Sequence, residues 1–218
     1  MRGRETSIMK DIANYIAEDW VLRKKKVALL SVHLSNEKIR NIASVIDCST
    51  VTDLTLNDMN VDEYGFTAVF DSLYSLNLSN SIINSIEEIC VPKSIEILDV
   101  THAEIFDLSS LKNMTNLVTL RASSGDVSHI YEYLPSISEL RVMSDVEEHA
   151  DWGFLSDLRE LKRLGLFGDL MKGIPKTIEG DKLEDLDVFG SFDVNLLESI
   201  SNLKKLKSIS LYCFEEFE

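Results

Sequence analysis

Histidines and acidic residues are the first candidates for catalysis or metal binding in this chain. Four histidines occur: His33, His102, His129 and His149. They form no H-E-x-x-H motif or other paired-ligand spacing, and the chain has neither a phosphate-binding loop nor a G-x-G-x-x-G turn. The acidic segment 145–151 lacks the residue pattern of a calcium-binding loop. We therefore predict that the protein is not an enzyme and that it holds no metal and no cofactor.

The cysteines indicate reduced thiols. Cys48, Cys90 and Cys213 are odd in number, far apart in sequence and free of C-x-x-C pairing. An intracellular protein with three free thiols explains this pattern better than a disulfide framework does. The first ten residues also lack the apolar stretch of a secretory signal. We expect a cytoplasmic location.

Other side chains recur at nearly constant spacing. Arg121 and Arg141 are separated by 20 residues, and Arg163 follows one repeat further on, offset by one place. A second series is separated by 24, 22 and 23 residues: Met143, Phe167, Phe189 and Tyr212. Aromatic and arginine side chains are common hot spots of protein interfaces. Both sets of residues are therefore candidates for partner binding, provided that a periodic fold brings the members of each set together.

That period is carried by the apolar residues. The pattern aliphatic-x-x-aliphatic-x-aliphatic occurs nine times, starting at Val27, Val51, Leu73, Ile95, Leu117, Ile137, Leu161, Leu183 and Leu206. Successive starts lie 20 to 24 residues apart, which is typical of a solenoid of leucine-rich repeats. Each segment predicts a short strand whose aliphatic side chains point inward and whose intervening side chains point outward. In the first repeat, Val27, Leu30 and Val32 are expected to point inward.

The segment LSSLKNMTNLVTL at 108–120 resembles the 22-residue leucine-rich repeats of internalin type. The resemblance implies an α/β solenoid with a curved parallel sheet on its concave face, and with short helices, 3₁₀ turns and loops on its convex face. It also implies that partners dock on the concave face. In this family an asparagine ladder at the ninth repeat position usually ties adjacent turns through backbone hydrogen bonds. That ladder is missing here; Ser81 and Ala103 stand at this position in two successive repeats. We therefore expect an irregular arc.

The predicted organisation is a single domain with two parts. Residues 1–26 form an N-terminal capping helix and a basic linker, because Ile8, Ile12, Ile16 and Trp20 recur every four residues. Residues 27–218 form the nine-repeat solenoid. No capping helix follows the ninth strand, so a homodimer through this end is one possible arrangement.

Two interpretations of each outward series remain open. The Met143, Phe167, Phe189 and Tyr212 column is either an exposed interface or a layer buried by the convex loops, since Gly168 and Gly190 permit tight turns there. The arginines either bind an acidic group of a partner or form an internal ladder with three acids: Asp99, Glu139 and Asp187.

The net charge of −15 excludes nucleic acid and anionic membranes as main ligands and suits a basic protein partner. We expect a protein-interaction module that binds its partner on the concave face. Its predicted contacts are Arg121, Arg141, Met143, Arg163, Phe167, Phe189 and Tyr212. The alternatives are an inhibitor or immunity-type protein that neutralises a basic enzyme, and a self-associating structural protein.

Overall fold

A computed structural model describes most of the repeat strands and the turns beside them. The described residues are 26–30, 47–57, 70–83, 94–105, 109–123, 133–134, 136–143, 160–168, 182–190, 198 and 200–212. The N-terminal helix predicted within 1–26, together with Cys90 and Cys213, lies outside these ranges. The chain divides into two compact units. The first comprises Met1–Asp99 and Ala103–Asn116, and the second comprises Val100–His102 and Leu117–Glu218.

The first unit contains four strands of a parallel sheet and a smaller parallel pair. In chain order its strands are β1 (Lys26–Leu30), β2 (Asp53–Asn57), β3 (Ser75–Asn77), β4 (Ile82–Ile83), β5 (Ile97–Asp99) and β6 (Glu104–Ile105). The sheet has the order β1-β2-β3-β5, while β4 pairs with β6. Sequential strands thus lie side by side and run in the same direction.

The second unit continues the same design with five parallel strands. They are β7 (Thr119–Ser123), β8 (Glu139–Met143), β9 (Arg163–Phe167), β10 (Asp185–Phe189) and β11 (Ser208–Tyr212). They pair in chain order without a crossover. The predicted solenoid of parallel strands is therefore confirmed.

Buried and partly exposed side chains alternate along the strands, so that one side of the sheet faces the core and the other faces outward. In β8, Leu140 and Val142 are fully buried, whereas Glu139, Arg141 and Met143 between and beside them are partly exposed. The buried positions stay in register from strand to strand: Leu54 pairs with Leu76 in the first unit and Leu140 with Leu164 in the second. Burying one such leucine contributes about 1.5–3 kcal/mol. We call the side chains opposite the core the outward face.

A repeated pair of backbone hydrogen bonds ties several described turns to the preceding ones. The backbone N–H groups of Tyr74 and Ser75 both donate to the carbonyl of Thr52, at 2.8 and 2.9 Å. The carbonyls of Tyr74, Val118, Ser138, Lys162 and Glu184 accept the same pair of bonds. These bonds fix the starts of β3, β5 and β8–β11 against the preceding turns, so these columns stay aligned although the repeats differ in length.

The return segments contain short turns, as the sequence predicts. One 3₁₀ turn covers Cys48–Thr50, and another covers Ser109–Asn113 within the internalin-like segment. Residues 198, 200 and 201 are helical, as the resemblance implies for the return segments. In the described residues no helix is long and apolar enough to cross a membrane.

The expected register of the first repeat was wrong. Val27 pairs with Leu54 and Leu29 pairs with Leu56, so these two residues replace Leu30 and Val32 in the two columns. The reason is that Val27, Ala28 and Leu29 already satisfy the two-residue alternation of a strand that begins at Lys26. A shift of three residues exchanges inward and outward positions.

The missing asparagine ladder has a partial substitute. The buried hydroxyl of Ser81 donates to the carbonyl of Leu56, 3.1 Å away in the preceding turn. Serine here makes a backbone contact between turns, which is the role the resemblance assigns to asparagine. In the next turn Ala103 is buried and contributes no side-chain hydrogen bond.

Candidate protein-binding face

The outward face of the second unit is a grid of three columns. The first column holds Thr119, Glu139, Arg163, Asp185 and Ser208; the second holds Arg121, Arg141, Gly165, Asp187 and Ser210; the third holds Ser123, Met143, Phe167, Phe189 and Tyr212. Neighbours within a column lie about 4.8 Å apart, and neighbouring columns are two residues, about 6.6 Å, apart. All seven predicted partner-binding residues stand on this face.

The first column contains an ion-pair ladder. Arg163 contacts Glu139 at 3.5 Å on one side and Asp185 at 3.3 Å on the other. Glu139 also accepts a 3.0 Å hydrogen bond from Nε of Arg141. Glu139, whose side chain is only 15% exposed, thereby holds two arginines in fixed positions.

The predicted internal ladder is thus confirmed for Glu139 but not for Asp187. Asp185 replaces Asp187 because it shares the column of Arg163, whereas Asp187 stands one column further along the strand. Arg121 and Arg141 are register partners on β7 and β8. The structure therefore brings the three predicted arginines onto adjacent strands, where acids contact Arg141 and Arg163.

The third column contains a continuous stack of aromatic rings. The ring centroids of Phe167 and Phe189 are 5.3 Å apart with planes inclined by 18°. Those of Phe189 and Tyr212 are 4.2 Å apart with planes inclined by 13°. Phe167 and Phe189 are partly exposed, and Tyr212 is 54% exposed. The stack is neither a buried layer nor a set of independent rings; it is an ordered apolar ridge open to solvent.

Gly165 provides the space in which Phe167 lies. A Cβ atom at Gly165 would come within 2.9 Å of Cε2 of Phe167 and within 3.3 Å of Cγ of Arg141. The ring and the arginine stem therefore cover this glycine, which is buried despite standing on the outward face. Covering a strand glycine with a neighbouring aromatic ring compensates for its missing side chain.

After four of the described strands, the residue two positions beyond the last inward aliphatic residue adopts a left-handed backbone conformation. These residues are Asn80 (φ 56°), His102 (φ 55°), Gly168 (φ 119°) and Gly190 (φ 143°). The N–H groups of Gly168 and Gly190 donate to the carbonyls of Phe189 and Tyr212, at 2.8 and 2.9 Å. The tight turns predicted after the two phenylalanines are confirmed, yet they leave the rings partly exposed.

The corresponding column of the first unit is polar, and its side chains form hydrogen bonds within the protein. The hydroxyl of Ser79 bonds the side-chain oxygens of Asn77 and Asn57, and the N–H of Ser79 donates to Asn77 at 2.8 Å. Side chains occupied in this way are less available to a partner. The aromatic column thus distinguishes the outward face of the second unit from that of the first.

The described residues hold no group of three histidine, cysteine, aspartate or glutamate side chains that would suit a metal ion. Cys48 is a buried free thiol, and its burial, reinforced by the charge of Asp47, raises its pKa to about 11. At neutral pH this sulfur is protonated and a poor nucleophile.

Solved structures with the same architecture exist. An internalin C2 from Listeria monocytogenes matches with a TM-score of 0.52 and 19% identity, over 86% of this chain and 80% of that one. The chain has an internalin-type leucine-rich-repeat fold. The internalin InlF of the same organism matches this leucine-rich-repeat chain with a TM-score of 0.51 and 16% identity, over 85% of this chain and 59% of that one. No protein-family model and no curated protein match the sequence.

Sequence reasoning placed the aromatic and arginine columns on one face but missed two features of it. It did not identify Asp185 as the partner of Arg163, although both stand at the third consensus place of adjacent repeats. It also assigned no role to Gly165. A small residue one pleat before an outward phenylalanine is the signal that could have identified the covered glycine.

Proposed function

We propose that this chain is a protein-binding module that contacts its partner through the outward face of β8–β11. The observation that supports it is the partly exposed stack of Phe167, Phe189 and Tyr212. Three stacked rings are already ordered, so a partner can bury them without first paying for their immobilisation. Contiguous exposed aromatic surface on a folded domain is typical of an interface.

The charged residues beside the stack supply orientation. Glu139 contacts Arg141, which stands in the column next to the apolar ridge, and Arg163, which stands one column further away. Arg121 stands on the next strand in the column of Arg141, and Met143 in the column of Phe167. In the proposed complex these side chains surround the aromatic centre as polar and adaptable contacts.

The test compares two tyrosines that differ in position but not in chemistry. Tyr212→Ala removes the outermost ring of the stack, whereas Tyr74→Ala removes a 43% exposed tyrosine of the first unit that lies outside it. Partners are captured from native cell extract and mapped by cross-linking and mass spectrometry. We expect Tyr212→Ala and the double variant Phe167→Ala/Phe189→Ala to lose a partner that Tyr74→Ala retains. Equal capture by all folded variants would refute the proposed surface.

A second candidate function is self-association through β11. Ile209 and Leu211 occupy inward columns, yet they are 44% and 37% exposed, whereas their register partners Leu186 and Val188 are fully buried. Sedimentation across a hundredfold concentration range tests it. A mass that rises to twice the monomer, and that Leu211→Asp abolishes, supports the dimer. A monomer at every concentration excludes it.

Inhibition of a basic enzyme is a narrower form of the main proposal. The net charge of −15 supports it, because a strongly acidic protein attracts a basic one at long range. The free thiol of Cys48 is consistent with the cytoplasmic location that we propose with it.

A further inference from the structure

We propose that the outward face of β9–β11 receives an arginine side chain of a basic partner protein, with Asp187 as its carboxylate. The inference rests on the proposed function and names the chemistry of the partner at one point of the surface. It follows from the distribution of paired and unpaired charges on the grid, and from the side chains next to them.

Asp187 is a carboxylate that takes no part in the ion-pair ladder. On β8–β10, Glu139 and Asp185 both contact arginine, so their charges are compensated within the protein. Asp187, although partly buried, forms no hydrogen bond or ion pair with the described residues. A partly buried carboxylate without a partner loses hydration and gains nothing in return, and an incoming cation restores this loss.

Asp187 is covered on the side of β9 but accessible to an incoming side chain on the side of β11. Its register partners are Gly165 on β9 and Ser210 on β11. Gly165 is covered by Phe167 and Arg141, which closes that side. Ser208 and Ser210 are small and uncharged, so the surface over β11 is low and accessible beside the carboxylate.

Aromatic rings border this low surface. Phe189 is two residues beyond Asp187 on the same strand, and Tyr212 is two residues beyond Ser210. Their mutual stacking occupies one ring face of Tyr212, and the ring is still 54% exposed. An arginine that crosses β11 can lay its stem or guanidinium plane against Tyr212 while its nitrogens reach Asp187.

Arginine suits this arrangement better than other side chains. Its planar guanidinium binds a carboxylate through two parallel hydrogen bonds and also stacks on aromatic rings. The net charge of −15 favours the approach of a basic protein. The occupant is therefore an arginine of a basic partner.

The experiment uses two short peptides and three variants of the full chain. One peptide carries two arginines separated by glycine, and the other carries citrulline, the uncharged analogue, at both places. Binding is followed by the amide NMR shifts of β9–β11. Asp187→Asn removes the proposed carboxylate, Asp71→Asn makes the same charge change at an exposed residue of the first unit, and Tyr212→Ala removes the ring.

We expect the arginine peptide to shift the β9–β11 signals and the citrulline peptide to leave them unchanged. Asp187→Asn should weaken binding roughly tenfold, as expected for loss of a charge-assisted hydrogen bond, while Asp71→Asn should match the wild type. Equal weakening by both asparagine variants, or shifts spread over the whole acidic surface, would overturn the inference. The peptide comparison on the wild-type chain retains its force even if a variant fails to fold.

The two proposals fail in different ways. If the arginine peptide does not bind but partner capture still depends on Tyr212, the arginine assignment is wrong and the binding face stands. If Tyr212→Ala changes neither capture nor peptide binding, the proposed function itself is refuted.

Discussion

Gly165 and Gly190 show how the same residue type serves two purposes on one surface. A Cβ atom at Gly190 would lie 1.8 Å from the carbonyl oxygen of Gly168, and the φ of 143° excludes other residues without strain. A Cβ atom at Gly165 would meet side chains alone, the edge of the Phe167 ring at 2.9 Å and Cγ of Arg141 at 3.3 Å, and both can move. One glycine is required by the backbone, and the other accommodates an aromatic side chain.

Alanine at these two positions should therefore lower stability to different extents. Gly190→Ala is expected to lower the free energy of unfolding by roughly 2 kcal/mol or more. Gly165→Ala should cost about 1 kcal/mol or less, the range of a displaced side-chain rotamer, but should weaken partner binding by disturbing the stack. Urea unfolding and a binding assay on both variants check this. Equal stability losses would show that Gly165 has a backbone role too.

Cys48 gives a prediction for pH. Its folded-state pKa of about 11 lies above the ordinary 9.0, so the protonated thiol contributes stability that is present below pH 9 and is lost as the pH rises toward 11. Unfolding midpoints measured from pH 7 to 11 should fall in the upper part of this range. Cys48→Ala should lose part of that decline; an unchanged pH profile would contradict the assignment.

Iodoacetamide provides the complementary measurement on Cys48. At pH 8 its modification, followed by site-resolved mass spectrometry, should be slow in the folded protein and fast in urea, because the thiol is 7% exposed and protonated.

At the scale of the strand, adjacent repeats allow a matched comparison of core positions. Leu186 and Leu211 stand on β10 and β11 in inward columns, with exposures of 0% and 37%. Leu186→Ala should destabilise the protein by about 3–5 kcal/mol, the usual cost of a truncated buried leucine. Leu211→Ala should cost about 1–2 kcal/mol, because less area is buried there.

Chemical unfolding with a common slope measures the difference between the two leucine variants. A similar cost for both would mean that β11 is covered in solution, as the self-association candidate requires. In that case the exposure of Ile209 and Leu211 would belong to the isolated chain only.

The strands were largely predictable because the aliphatic spacing records the core directly. Leu54, Leu140 and Leu186 all lie in the columns that the pattern assigned to them. The first repeat was misplaced because the complete pattern fits Val27, Leu30 and Val32, whereas the register paired with β2 puts Lys24 at the first aliphatic place. Pattern alone therefore favours the wrong register in this repeat.

The sequence predicted which residues of the site share a column, but it did not predict which side chains contact each other. The periodic spacing aligned Phe167, Phe189 and Tyr212, since repeats of similar length place equivalent residues on neighbouring strands. Whether the rings stack in the open or under a loop depends on the turns, which vary in sequence. The choice of Asp185 over Asp187 depends on side-chain reach within a column, which a consensus pattern does not contain.

At the scale of the whole molecule, charge and aromatic surface should control different steps of binding. The net charge of −15 acts at long range and accelerates encounter with a basic partner, whereas the ring stack acts only after contact. The association rate should fall at least about tenfold as salt rises from low concentration to ~0.5 M, because screening shortens the range of the field.

Tyr212→Ala should instead raise the dissociation rate and leave the salt dependence unchanged. Surface plasmon resonance with the captured partner separates the two rates. A salt-insensitive association rate would show that the partner is not basic and would remove the support for an inhibitor of a basic enzyme.

The left-handed residues after the strands have a consequence for engineering. Asn80, His102, Gly168 and Gly190 set the direction in which the chain departs from the sheet, and the paired bonds to Thr52 and its counterparts set the direction in which it returns. Among the described residues, the return segments that follow Asn80, Gly168 and Gly190 are thus held at both ends. We expect that replacing these three segments with loops from other 20-to-24-residue repeats leaves in place the strands that face a partner.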